Sequence, residues 1–116
     1  MDAIEIRVAD HLEAAELSVG EHVYLVTPER PPEEYILVEK TGSSARNHID
    51  QAMIAVQSVS KNSMANAIRI NEEVKEAMEE FAQLPSVFAC SLNSDYNFTN
   101  TETKEYRYQA VFNIIF

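Results

Sequence analysis

The stretch SKNSMANAIRINEEVKEAMEEFAQL (residues 60–84) decides the fold that we predict. Apolar side chains recur in it at steps of three and four, a period that places them along one side of an α-helix. They are Met64, Ala67, Ile68, Val74, Met78 and Phe81. About 20 residues at ~1.5 Å each give a helix roughly 30 Å long. A helix of this length with a single apolar stripe needs a sheet to pack on.

The ends of this helix are marked by residue type. We expect it to begin after Lys61, where Ser60, Asn62 or Ser63 can accept a hydrogen bond from a free backbone N–H. Pro85 ends it, because proline disfavours helical geometry in the residue before it.

The flanking sequence predicts one further helix and five strands. The helix covers residues 2–17, with Gly20 as its stop, and the strands cover residues 22–27, 35–41, 48–59, 86–92 and 106–116. Residues 28–34 contain three prolines and form a turn, and residues 42–47 and 93–100 are polar enough to be loops. We therefore predict a single α+β domain over residues 1–116, with the order α-β-β-β-α-β-β. It is a two-layer sandwich, in which an antiparallel or mixed sheet of about four to five strands packs its two helices on one face.

The last predicted strand has two distinct faces. Its alternation directs one set of side chains to the helices: Tyr106, Tyr108, Ala110, Phe112, Ile114 and Phe116. Arg107, Gln109 and Asn113 point the other way, together with Gln57 of the third strand. We expect that second face to be either solvated or covered by another subunit.

Composition excludes several classes of protein. With 19 acidic and 9 basic residues the net charge is −10, which disfavours specific binding to nucleic acids and to anionic membranes. The 2 glycines rule out glycine-rich phosphate loops. The single cysteine, Cys90, cannot form an internal disulfide, and we interpret it as a small apolar strand residue. Without a basic, apolar leader or a run of ~20 apolar residues, we expect synthesis in the cytosol and no membrane segment.

We find no catalytic or metal-binding pattern. His11, His22 and His48 lack the spacing of a helical metal pair, and no Gly-x-Ser-x-Gly turn is present. Neighbouring carboxylates such as Glu79 and Glu80 fit a solvated helix face. The prediction is a protein that is not an enzyme and has no cofactor and no metal.

Six short stretches carry a resemblance to a known family. They are YILVEKTG (35–42), RNHI (46–49), IAVQS (54–58), NEEVK (71–75), LNSDYNFT (92–99) and YRYQAV (106–111). In this order, and in a chain of this length, they resemble the small tail-completion proteins, that is tail terminators or head-tail joining proteins, of siphophages and prophages of Gram-positive bacteria. The resemblance runs from about residue 24 to residue 116, and the N-terminal helix matches less clearly.

This resemblance implies a structural virion protein that caps the tail tube or joins the tail to the head connector. It implies an α+β fold and a homo-oligomeric ring, typically a hexamer, with the tail-tube protein and the head connector protein as partners. Assembly takes place in the bacterial cytoplasm, and the final location is the virion. An acidic ring would suit the passage of DNA, since phosphates are repelled from its surface.

On this interpretation seven residues are candidates for contacts between subunits or with partners. Arg46 and His48 lie at the predicted loop 42–47, and Asp95, Tyr96 and Phe98 lie on the predicted loop 93–100; Arg107 and Gln109 lie on the last strand. An aromatic residue on a turn either tucks under its own loop or contacts a partner, and both alternatives stay open for Tyr96 and Phe98.

Two other classes of function stay open. An acidic decoy that imitates DNA would bind a host nucleic-acid-binding protein, and it predicts carboxylates over one continuous surface and binding that weakens with salt. An enzyme predicts a pocket with convergent polar groups and a perturbed pKa. The sequence offers no set of residues for the enzyme.

Overall fold

The computed structural model describes residues 3–46, 49–99, 102–103 and 105–116. The elements follow the order α1 (Ile4–Ala14), β1 (Val23–Tyr24), β2 (Glu34–Arg46), β3 (Ile49–Ser60), α2 (Met64–Phe81), β4 (Ala89–Asn97) and β5 (Tyr106–Ile115). The strands form one sheet in the order β1-β2-β3-β5-β4, parallel between β1 and β2 and antiparallel elsewhere. The predicted α+β class and the predicted order of elements are confirmed.

Helix α2 begins where one of the three proposed caps places it. The Ser63 hydroxyl accepts a hydrogen bond from the Asn66 backbone N–H at 3.1 Å. The buried stripe runs through Ile70 and Ala77, however, and the prediction of Ile68 in that stripe is wrong, since Ile68 is 39% exposed. Counting 3.6 residues per turn from Ala67 leads to positions 70, 74, 78 and 81, and Ile68 lies about 100° away from that line.

Helix α1 is shorter than the predicted residues 2–17. It ends at Ala14, and Glu16 adopts a left-handed backbone with φ of 56°, so the chain leaves the helix before it reaches Gly20. The helix packs beside α2, where His11 Nε2 lies 2.8 Å from the Ala77 carbonyl oxygen. None of the helices in the described part of the chain is long and apolar enough to cross a lipid bilayer.

Both helices lie on one face of the sheet, which we call the helix-covered face. Val8 and Leu12 of α1 and Val74 and Phe81 of α2 belong to a single core cluster. The sheet contributes alternate residues of its three central strands to this cluster: Ile36, Val38, Ala52, Ile54, Val56, Ala110, Phe112 and Ile114. The predicted alternation of the last strand is confirmed for Ala110, Phe112 and Ile114, whereas Tyr106 is 37% exposed and lies outside this cluster. The opposite side of the sheet is called the open face below.

Two segments predicted as loops are strands instead. Residues 42–46 continue β2, and the chain forms a long hairpin with β3 whose register shifts between Lys40 and Gly42. Residues 93–97 continue β4, with a second shift between Leu92 and Ser94. Small polar residues that are exposed on both faces carry no alternating hydrophobic pattern, so only backbone pairing with the neighbouring strand makes them extended. In contrast, β1 has 2 residues instead of the predicted residues 22–27.

Candidate functional site

A row of hydrogen-bonded side chains crosses the open face, and we call it the polar network. Its members come from strands β2 to β5 and the residue that precedes β5: Tyr35, Gln57, Tyr96, Glu105, Arg107 and Gln109. At its centre the Gln57 Nε2 amide donates to Gln109 Oε1 at 2.9 Å. The Gln109 amide in turn donates to the Tyr96 hydroxyl at the outer strand.

The other half of the polar network is charged. The Arg107 guanidinium donates to Gln57 Oε1 and, at 3.2 Å, to the Glu105 carboxylate. The Tyr35 hydroxyl donates to the same carboxylate at 3.3 Å. Arg107 and Glu105 therefore form an ion pair, and their opposite charges offset each other on this surface.

Strand register brings these side chains together. Gln57 pairs with Gln109, and Gln109 pairs with Tyr96 on its other side. Residues directly opposite each other on antiparallel strands point to the same face, with Cβ atoms ~5 Å apart. Gln57 is 5% exposed and Gln109 is 8% exposed, so their amides need partners, and side chains of neighbouring strands supply them.

The environment of Tyr35 is reflected in its acidity. Burial raises the pKa of the Tyr35 hydroxyl above its usual value, and the negative charge of Glu105 raises it further, against the opposite effect of Arg107. The hydroxyl is thus held in its neutral form, in which it donates a hydrogen bond to Glu105.

An open cleft of about 630 Å³ lies beside the charged half of the polar network. Tyr35, Glu105 and Arg107 form part of its lining, and Phe98 and Thr27 form another part. Phe98 is 47% exposed, and its ring meets the Tyr96 ring edge to face with centroids 6.1 Å apart. These two aromatic residues contact each other and leave about half of their surface to solvent.

The structure brings four of the seven predicted residues together on the open face. Tyr96, Arg107 and Gln109 belong to the polar network. Phe98 joins them through its ring contact with Tyr96. Arg46 is the last residue of β2, at the far end of the hairpin, and His48 lies outside the described residues.

Asp95 does not join this group, and its predicted display on a loop with Tyr96 is wrong. Its carboxylate accepts hydrogen bonds at 3.0 Å from the Asn71 amide and from the Lys75 ammonium group of α2. Because residue 95 belongs to a strand, it points to the face opposite Tyr96. Hydrogen bonds to Glu72 and Asp95 raise the pKa of Lys75 and keep it charged.

Sequence reasoning missed Tyr35 and Glu105 as members of the site. A signal for Glu105 exists, since it lies two residues before Arg107 with opposite charge, the spacing at which side chains of an extended chain share a face. Tyr35 gives no such signal, because its place depends on the pairing of β2 with β3.

No group of three or more metal-ligating side chains occurs within residues 3–46, 49–99, 102–103 and 105–116. Burial raises the pKa of the Cys90 thiol to about 11, which leaves little thiolate at neutral pH. The donors and acceptors of the polar network are largely satisfied by one another, an arrangement that fixes a surface shape.

The fold has a counterpart among solved structures. The chain superposes on a chain in the virion of a native gene transfer agent (GTA) particle with a TM-score of 0.71. The match covers 97% of this chain and 93% of the other at 14% sequence identity. No protein-family model and no curated protein sequence matches this chain. At this identity the comparison shows that the two chains share a fold.

Proposed function

We propose that this chain is a structural protein of a phage or a phage-like virion. The observation that carries the proposal is the shared fold with a virion chain, which extends over 97% of this chain and 93% of that one.

In its finer form, the proposal is that the protein completes the tail. It caps the tail tube or joins the tail to the head connector as a homo-oligomeric ring, possible partners being the tail-tube and connector proteins. This step rests on the six sequence stretches that resemble tail-completion proteins. The net charge of −10 supports it, because an acidic ring would repel DNA phosphates and let the genome pass.

The contact residues are part of the same proposal. Tyr96 and Phe98 offer exposed aromatic surface at the outer strand, a residue type enriched at the centre of interfaces. Arg107 and Gln109 fix the shape of the surface next to them through the polar network. Arg46 and His48 belong to the hairpin end, and Asp95 acts indirectly by tying β4 to α2.

One observation favours the acidic decoy as a second candidate. The segment that follows α1 lies beside α2, and Glu16, Glu73, Glu76 and Glu80 line one shallow groove there. Carboxylates of α2 and of this segment therefore share one side of the molecule. A decoy would bind a basic host protein with an affinity that falls steeply between ~50 mM and ~200 mM salt, which a pull-down from host extract at both salt concentrations measures.

The direct test uses particles from the bacterium or prophage that carries the gene. If the gene is inactivated, we expect heads and tails that do not join, or tails of irregular length, in electron micrographs. A plasmid copy of the wild-type gene restores normal particles. Normal infectious particles that lack the chain would contradict the proposal.

A further inference from the structure

Two edges of the sheet have no neighbouring strand among the described residues. Strand β4 is the last strand on one side of the sheet. On the other side, β1 pairs only with Ile36 and Leu37. Residues 38–46 of β2 therefore pair with β3 on their inner side and with no described strand on their outer side. Open edges expose backbone N–H and C=O groups that can pair with another chain.

Part of each edge lacks the charges that usually prevent such pairing. Residues 41–45 of β2 and residues 86–94 around β4 contain no charged side chain, in a protein with 19 acidic and 9 basic residues. Two copies of a protein with a net charge of −10 repel each other at long range, and uncharged edges are where they can approach. The β4 edge also exposes apolar surface, since Phe88 is 79% exposed and Leu92 is 44% exposed.

The two uncharged segments lie at the same height in the sheet. One lateral row of paired residues runs from Ser44 through Gln51 and Ile115 to Ala89. The next row but one runs from Gly42 through Met53 and Asn113 to Ser91. A closed ring has no net rise from copy to copy, so equal height is the condition for the two edges to meet.

Strand direction is also compatible with this contact. The antiparallel pairs β2·β3, β3·β5 and β5·β4 make β4 run opposite to β2. In a head-to-tail contact between copies in the same orientation, β4 of one copy therefore lies antiparallel to β2 of the next. The alternation of the sheet continues across the contact.

From these observations we infer that the β4 edge of one copy pairs with the β2 edge of the next copy, through residues 89–91 and 42–44. The occupant of each open edge is a second copy of this chain. The inference rests on the proposed ring and specifies its interface. The contact covers Phe88 and Leu92 and supplies backbone hydrogen bonds to both edges.

Disulfide trapping tests the contact in assembled particles. In a Cys90→Ser background, Ala89→Cys combined with Ser44→Cys places two exposed thiols on the open face and in the same row. The matched control combines Ala89→Cys with Ser43→Cys, which moves one thiol to the helix-covered face. Within one copy three strand spacings, about 14 Å, separate β2 from β4 along this row. That distance is well beyond the ~7 Å that a disulfide can span.

After oxidation we expect the first pair to give a ladder of covalent multimers on a denaturing gel, at least fivefold more cross-linked than the control. A ladder is specific to head-to-tail contacts, because each copy then bonds to two neighbours. Equal cross-linking by both pairs, no cross-linking by either, or dimers formed by Ala89→Cys alone would overturn the inference.

The same particles separate this inference from the proposed function. If particles contain the chain as a ring and the first pair does not cross-link, the edge contact is wrong and the ring stands. If the wild-type chain is absent from normal particles, the proposed function is wrong and the inference falls with it.

Discussion

On the helix-covered face, Val74 and Phe81 of α2 bury the sheet under apolar side chains, whereas on the open face the buried amides of Gln57 and Gln109 are satisfied by hydrogen bonds with side chains of the sheet itself. The first kind of burial depends on area and tolerates small shifts of position. The second depends on each partner being present, because a buried amide that loses its partner stays unsatisfied. The two faces should therefore respond differently to mutation.

The largest effect is expected on the helix-covered face. Phe81 is 1% exposed, and Phe81→Ala removes a ring that fills the space between α2 and His11. We expect a loss of about 3–5 kcal/mol in the free energy of unfolding, measured by urea denaturation. Phe88→Ala is the matched control, since Phe88 is 79% exposed. It should change stability by less than ~0.5 kcal/mol, and equal losses for the two variants would contradict the assignment of the core.

The polar network should show coupling where the core shows simple loss. Gln57→Leu leaves the Gln109 carbonyl oxygen without its donor and removes one acceptor of the Arg107 guanidinium, which keeps Glu105, at a cost of about 1–3 kcal/mol. Gln109→Leu should cost a similar amount. In the double variant the two losses should not add. Both members of the Gln57–Gln109 hydrogen bond are then absent, so neither amide is left buried without the other. Additive losses in urea denaturation would show that the two amides do not interact.

A smaller effect is expected at Asp95, on the helix-covered face next to Tyr96. Asp95→Ala removes the acceptor for the Asn71 amide and for the Lys75 ammonium group. Asn71 is buried, with 1% of its surface exposed. We expect a loss of about 1 kcal/mol, because the Asp95 side chain is partly solvated. Asp95→Asn keeps an acceptor oxygen and should recover most of this loss. If both variants match the wild type, Asp95 does not tie β4 to α2.

The smallest effect appears at high pH and belongs to Tyr35. Burial, and then Glu105, raise the pKa of Tyr35 above 10.0 in the folded protein. The folded state therefore holds this proton more tightly than the unfolded chain does. The resulting stabilisation is complete below pH ~10 and is lost as the pH rises through the folded pKa. Stability curves of the wild type and Tyr35→Phe should converge there, and parallel curves between pH 9 and pH ~11.5 would contradict a raised pKa.

Much of the fold follows from sequence patterns because the helix-covered face is built by them. The apolar period over residues 60–84 and the alternation over residues 106–116 both correspond to observed elements. The hairpin end and residues 93–97 were predicted as loops, since exposed small polar residues give no pattern and their extension comes from pairing. Pairing register is a property of the folded chain, and it decides that Gln57 meets Gln109 and that Asp95 meets α2.

The candidate site was predictable to the same extent. Arg107 and Gln109 could be placed on a face away from the helices, because the period of a strand is two. Their partners Tyr35 and Tyr96 lie on β2 and β4, and these strands reach them only through pairings that the sequence does not specify. The turn-like composition of residues 93–100 leaves both alternatives open for Tyr96 and Phe98. In the structure Tyr96 is exposed on the edge strand β4, and Phe98 is exposed directly after it.

The measurement that tests the central claim most directly is native mass spectrometry of the purified protein. Spectra are recorded over a range of concentrations, alone and then with the tail-tube protein encoded beside it. We expect a closed homo-oligomer, a hexamer above all, that forms either alone or on the tail-tube protein. A strict monomer under both conditions, with no complex, would contradict the ring and favour the acidic decoy.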